Sequence, residues 1–267
     1  MKTAIYGAIL LVPALWACDD TPSASPSVPE AAAAAAPPAP TPTPTPSETA
    51  PPPPKFVKKT LADCKPHSTE VDFGDDAGLE KEVRRKLSKE KGPVTPADLA
   101  TIKSINLTTA TIHQVDPCIF PMFTGLKDLF LGAGEYDDLA PISKLTTLMS
   151  LSAALSSVKN LHPIEGLKRL DRLDLSHTLV EDDDLKSIAN LVNLTELMLD
   201  ETNISDLTPI ANMKKLERLS IKKTHVQNLA PVAGIKTLKF LYIADSGVTD
   251  ISPVQPLVSG GMKLVQN

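Results

Sequence analysis

The chain has 267 residues, 42% hydrophobic and 22% charged, with a formal net charge of −5. That length and apolar share suffice for one sizeable core. The charge is mild and its signs are mixed along the chain, which argues against a basic face for nucleic acid.

The chain opens MKTAIYGAILLVPALWACDD, with Lys2 ahead of a mostly apolar run from Ala4 to Ala17. The run is too short to span a bilayer and acid follows at once, the pattern of a secretory signal over residues 1–17. Its end, Leu15-Trp16-Ala17-Cys18, resembles the lipobox of bacterial lipoproteins. The resemblance implies cleavage before Cys18 and acylation of Cys18 itself. Several acyl chains hold a protein on a bilayer where one alone is marginal. The alternative is a plain signal peptide with a chance cysteine. On the lipoprotein reading the protein is anchored to a membrane of the bacterial cell envelope, on the periplasmic face or at the cell surface, without spanning it. After Cys18, residues 18–55 are almost only Pro, Ala, Thr, Ser and acid, including TPTPTP and PPPP. Such a segment has no apolar side chains to bury. Proline favours extended polyproline II, so a disordered stalk is expected.

Residues 56–98 read as a cap. DDAGLEKEVRRKLSKEKGP predicts one helix, with Asp75 or Asp76 as its cap and Gly92-Pro93 as its stop. Leu79, Val83 and Leu87 form a narrow apolar stripe along it. VTPADLATI predicts a second short helix, capped by Thr95, with Pro96 at its first position and Asp98 in its first turn. With Cys18 acylated, Cys64 and Cys118 remain as an even pair in an oxidising compartment. That suggests a disulfide, two separate thiols being the other reading. Two isolated cysteines, neither with a second cysteine beside it, do not suggest a zinc site.

From residue 99 to 257 the chain repeats. Aligned apolar pairs predict seven strands: Ile105/Leu107, Leu129/Leu131, Leu151/Ala153, Leu173/Leu175, Leu197/Leu199, Leu219/Ile221 and Leu241/Ile243. Successive pairs lie 22 or 24 residues apart. A proline follows ten residues after the second pair member at Pro117, Pro141, Pro163, Pro209, Pro231 and Pro253. The fourth unit has Leu185 there, after an acidic run that could cap a fuller helix. Fixing a backbone costs about 1–2 kcal/mol per residue. A lone unit buries too few side chains to offset that, whereas stacked units share both flanks of each apolar layer. Thr178, Thr202, Thr224, Ser156 and Ser246, three residues past their strands, are expected to turn inward and satisfy backbone groups. Residues 258–267 are left as a C-terminal tail.

The pattern LxxLxxLxLxxTxIxDLxPIxx resembles the leucine-rich repeats of internalins and of the SDS22-like class. The helix before it resembles the N-terminal cap of bacterial members. The resemblance implies an α/β solenoid, a right-handed superhelix with a parallel sheet on its concave face and 3₁₀ or short helical turns outside. It also implies a protein partner, since such proteins mostly bind proteins.

Side chains alternate across a strand. If the leucine pair points inward, the residues between and beside it face solvent. Candidate partner-binding residues there are Phe130, Arg172, Asp174, Glu196, Met198, Arg218, Lys222, Phe240 and Tyr242. Aromatics near Arg218 suit a binding hot spot, unless the C-terminal tail covers Phe240. The pairs Glu196/Arg218 and Asp200/Lys222 are expected across adjacent strands. The five histidines are scattered, none near a carboxylate at ligand spacing, and residues 181–184, EDDD, lack the spaced ligands of a calcium loop. No enzyme, cofactor or metal is expected. The sequence favours a monomeric protein-binding module. A structural spacer of the envelope is the alternative.

Overall fold

A computed structural model describes residues 58–64 and 69–266. The apolar leader, Cys18 and the Pro-rich segment lie outside the described residues. No helix among those described is long and apolar enough to cross a membrane.

Each repeat contributes one three-residue strand. These are β1 (Ser104–Asn106), β2 (Asp128–Phe130), β3 (Ser150–Ser152), β4 (Arg172–Asp174), β5 (Glu196–Met198), β6 (Arg218–Ser220), β7 (Phe240–Tyr242) and β8 (Lys263–Val265). They form one parallel sheet in chain order. Ile105, Leu129, Leu151, Leu173, Leu197, Leu219, Leu241 and Leu264 pair each with the next along its centre. With the leucines of the turns they build one continuous core. The result is the expected leucine-rich-repeat solenoid, with the strands on one face and the 3₁₀ turns outside.

The turns leaving β3 to β7 share one chemistry. Leu155, His177, Glu201, Lys223 and Asp245 all have positive φ, between 52° and 58°. The next residue turns into the core, as the repeat predicts. Thr202 Oγ1 donates to the carbonyl of Leu199 at 2.7 Å, and Ser156, Thr178, Thr224 and Ser246 make the equivalent bond. Each hydroxyl thereby satisfies a carbonyl that the bend leaves without a ladder partner. Further on, Asp138, Asn160, Asp206, Asn228 and Asp250 accept the N–H of the residue two places later. These Asx turns open 3₁₀ turns such as Ala140–Ile142 and Thr208–Ile210, in which proline stands second. Proline fits because the first N–H groups of a helical turn have no internal partner.

Two units depart from this plan. In the fourth, the acidic run opens a full α-helix with Leu185 buried inside it, as expected. In the first, the 3₁₀ turn runs Phe120–Met122, around Pro121. Pro117 stands ahead of it in a turn that absorbs the unit's extra residues.

Helix α1 (Ala77–Leu87) closes the N-terminal end, with Asp76 accepting the N–H of Leu79. The sequence predicts a stop at Gly92 and Pro93, but the helix ends earlier. Ser88 takes a left-handed conformation, φ 52°, and its N–H closes the last turn on the carbonyls of Arg84 and Arg85. Helix α2 (Pro96–Thr101) carries the predicted Thr95–Asp98 capping box. Leu79 and Val83 are fully buried. Glu82 reaches the sheet edge, where its carboxylate accepts the N–H of Asn106 at 3.2 Å. An edge strand otherwise left open is thereby covered. Cys64 and Cys118 are joined in a disulfide. Lys59, from the same short segment, pairs with Asp116 at 2.8 Å.

At the other end the sequence leaves residues 258–267 as a tail, and here the structure differs. A last α-helix (Gln255–Ser259) continues the outer 3₁₀ turn Ser252–Val254, Gly261 at φ 103° reverses the chain, and β8 adds an eighth strand beside β7. Leu264 continues the leucine row, so the same burial that pairs the earlier strands also recruits the terminus.

Candidate functional site

Because the strands are in register, the outward residues form columns. One runs Ser104, Asp128, Ser150, Arg172, Glu196, Arg218, Phe240, Lys263; the next runs Asn106, Phe130, Ser152, Asp174, Met198, Ser220, Tyr242, Val265. All nine candidate binding residues lie on or beside these columns.

The structure divides them. At the N-terminal end, Arg172 Nε donates to Ser150 Oγ at 2.9 Å, and its guanidinium lies 3.9 Å from Asp128. This bridge covers Ser150, which is fully buried. Asp174 accepts the Ser152 hydroxyl and the N–H of Ser176. These groups satisfy one another, and Phe130 stands half-buried near them, at the opposite end of the sheet from the other aromatics.

The C-terminal end is different. Phe240 and Tyr242 stack with centroids 6.5 Å apart and planes at 12°. The Arg218 guanidinium lies 5.0 Å from the Phe240 centroid, and Lys263 Nζ lies 5.7 Å from it, from the other neighbouring strand. Arg218 Nε also reaches Glu196 at 3.3 Å. One ladder therefore reads carboxylate, guanidinium, ring, ammonium. Met198, Phe240 and Tyr242 all remain half exposed. The tail flanks Phe240 and does not bury it. The expected pair Asp200/Lys222 is present at 2.9 Å. Asp200 also accepts the Ser220 hydroxyl and the N–H of Lys222, so it ties two coils together.

Sequence reasoning missed Lys263, although the spacing of Leu264 from Leu241 carried the signal. It also missed that His177 Nδ1 approaches Glu201 at 3.1 Å, with Lys223 on the same carboxylate at 2.6 Å. Those residues are a repeat apart in sequence and adjacent in space. Among the described residues, no group of three or more His, Cys, Asp or Glu is placed to hold a metal. An open depression of about 690 Å³ on α1, lined by Glu80, Lys81, Arg84 and Arg85, lies away from the strand face.

No protein-family model matches the chain, and no curated protein sequence does. Solved structures do match. An internalin (inlF) of Listeria monocytogenes is 27% identical with a TM-score of 0.63, over 69% of this chain and 54% of that one. This chain thus spans about half the length of that internalin. The internalin C2 (inlC2) of the same organism is 22% identical with a TM-score of 0.60, over 72% of this chain and 93% of its own. A leucine-rich-repeat protein of Leptospira interrogans is 19% identical with a TM-score of 0.51, over 62% of this chain and 49% of its own. The row of stacked leucines, the inward Thr and Ser hydroxyls and these likenesses agree: the chain folds as a leucine-rich-repeat solenoid similar to those of the internalins.

Proposed function

We propose that this protein is a lipid-anchored component of the bacterial cell envelope that captures another protein on its strand face, without enzymatic activity. Internalin-like folds are typical protein–protein interaction modules. The observation that carries the reading is the half-exposed pair Phe240 and Tyr242, with Arg218 and Lys263 on either side. Aromatic and Arg side chains dominate the energetics of protein interfaces. Cys18 is the acylated residue in this reading, the Pro-rich segment is the spacer, and the solenoid acts as a monomer.

The test is cross-linking on intact cells, comparing the native chain with Phe240→Ala/Tyr242→Ala. The expected result is one dominant cross-linked partner, lost in the variant while thermal stability stays within a few degrees. A pattern of adducts identical in both proteins would remove the binding role and leave an envelope spacer.

A further inference from the structure

The charges that alternate along the sequence are sorted by the fold. Each coil has two flanks: one between the outer turn and the next strand, the other between the strand and the outer turn. The first flank is basic. Immediately before the strands stand Lys103, Lys127 and Lys239. They belong to one column, tied by bonds such as Lys127 N–H to Lys103 carbonyl and Lys239 N–H to Glu217 carbonyl, both 2.8 Å. Two columns further out stand Lys168, Lys214 and Lys236, with Arg169 and Lys215 beside them. These columns are stacked as well: Asn193 Nδ2 donates to the Lys168 carbonyl, Lys215 Nζ to Asn193 Oδ1, and Thr237 Oγ1 to the Lys214 carbonyl. All of these cations are exposed. Carboxylates on this flank are few, and each is engaged: Glu165 with His162, Asp171 with Thr195, Glu217 with Lys239. Among the described residues, Lys239 alone of these cations has a carboxylate within ion-pair distance.

The opposite flank is acidic, and its acids have an internal purpose. Asp138, Asp206 and Asp250 cap 3₁₀ turns, and Asp182 accepts the N–H groups of Ser205 and Asp206 from the next coil. The fold accounts for those acids. The cations are less fully used: Lys214 reaches the Ala211 carbonyl, Lys215 the Asn193 side chain and Lys239 the Glu217 carboxylate, and, Lys239 excepted, no carboxylate among the described residues neutralises them. Lys103 and Lys127, and likewise Lys214 and Lys236, stand on neighbouring coils, and a flank on which exposed cations outnumber carboxylates matches a surface that carries anions.

We propose that this flank is a docking surface for the phosphate headgroups of an anionic bilayer. Docked in this way, the solenoid turns its acidic flank away from the lipid and leaves Phe240 and Tyr242 open at the side. The proposal does not depend on the strand-face partner.

The full-length chain is tested by co-sedimentation with vesicles of pure phosphatidylcholine and with vesicles of equal parts phosphatidylcholine and phosphatidylglycerol. The readout is the ratio of the two partition coefficients, to which an acyl chain or apolar leader contributes equally. The native chain should prefer the anionic vesicles and lose the preference in high salt. Lys168→Glu/Arg169→Glu/Lys214→Glu/Lys215→Glu should reduce the preference by at least about a hundredfold. Lys81→Glu/Lys91→Glu/Lys159→Glu/Lys186→Glu makes the same change in net charge off this flank and should cost far less. Circular dichroism and melting confirm that each variant is folded, and Gln in place of Glu gives a milder series if one is not. No preference in the native chain, or equal losses in the two variants, overturns the proposal. So does salt-sensitive self-association that disappears in the flank variant without any anionic preference, which would make a second copy the occupant.

Discussion

The Arg218 guanidinium lies 5.0 Å from the ring centroid of Phe240 and its Nε lies 3.3 Å from Glu196. A cation–π contact at a partly exposed site contributes about 0.5–1 kcal/mol, and an exposed ion pair no more than that. Arg218→Ala removes both contacts and should therefore lower stability by about 0.5–2 kcal/mol, while weakening partner capture severalfold. A double-mutant cycle of Arg218→Ala with Phe240→Ala in urea should give a coupling of about 0.5–1 kcal/mol. Strict additivity would show that the contact is not formed in solution.

Buried hydroxyls hold the turns. Thr202 is almost fully buried and its Oγ1 donates to the Leu199 carbonyl. Thr202→Val keeps the shape and removes the donor, leaving that carbonyl unsatisfied. A loss of about 1–3 kcal/mol is expected, read from urea midpoints. The equivalent change at Ser246, which is less buried, should cost less.

Gly134 sits where the first and second coils meet. A Cβ there would lie 1.7 Å from the Ile112 carbonyl oxygen, which is fixed backbone. Gly134→Ala must force the coils apart, so a loss above about 3 kcal/mol or failure to fold is expected. Gly166→Ala meets no atom within 4 Å and should be nearly neutral. Equal melting temperatures for the two variants would contradict the close packing of those coils.

Leu155 has φ 58° and remains exposed at 54%. A β-carbon in that region costs about 1–2 kcal/mol, and Asn tolerates it better. Leu155→Asn should raise stability by about 0.5–1 kcal/mol. Gain of stability with unchanged partner capture would show that the exposed leucine is not part of the interface.

Stability should also fall in acid partly through Glu82. Burial pushes its carboxyl up, but the Arg85 hydrogen bond, the Asn106 N–H and the charges of Arg85 and Lys86 outweigh it and hold the value below the ordinary one. A carboxylate depressed in the folded state stabilises the fold above its unfolded value. That contribution fades as the pH falls through the ordinary carboxylate range to the lower folded value. Glu82→Gln should melt lower at neutral pH and show a shallower loss between neutral and acid. An unchanged slope would remove Glu82 from the cap's pH response.

Much of the fold is legible in the residues themselves. Leu173, Leu197 and Leu219 keep register because each coil must bury the same row. The inward position of Thr202 follows from its place after the strand, and the caps at Thr95 and Asp76 follow from local backbone needs. The eighth strand was hidden because Met262 and Leu264 follow a helix and two glycines, outside the proline-marked unit. The early end of α1 was hidden because Ser88 gives no composition signal for a left-handed turn.

Sequence alone determined the period and the apolar row, since the leucine spacing recurs from unit to unit along the chain; the outward columns followed from strand alternation, except that Ser150 and Ser220 are buried. Only the tertiary structure decided that Lys263 stands beside Phe240, that His177 meets Glu201, and that cations and acids fall on opposite flanks. Stacking brings residues one repeat apart to within a strand spacing, so charges that alternate along the chain are sorted into a mainly basic and a mainly acidic flank. Coulomb forces act over those few ångströms, and the linear order of the residues does not display them.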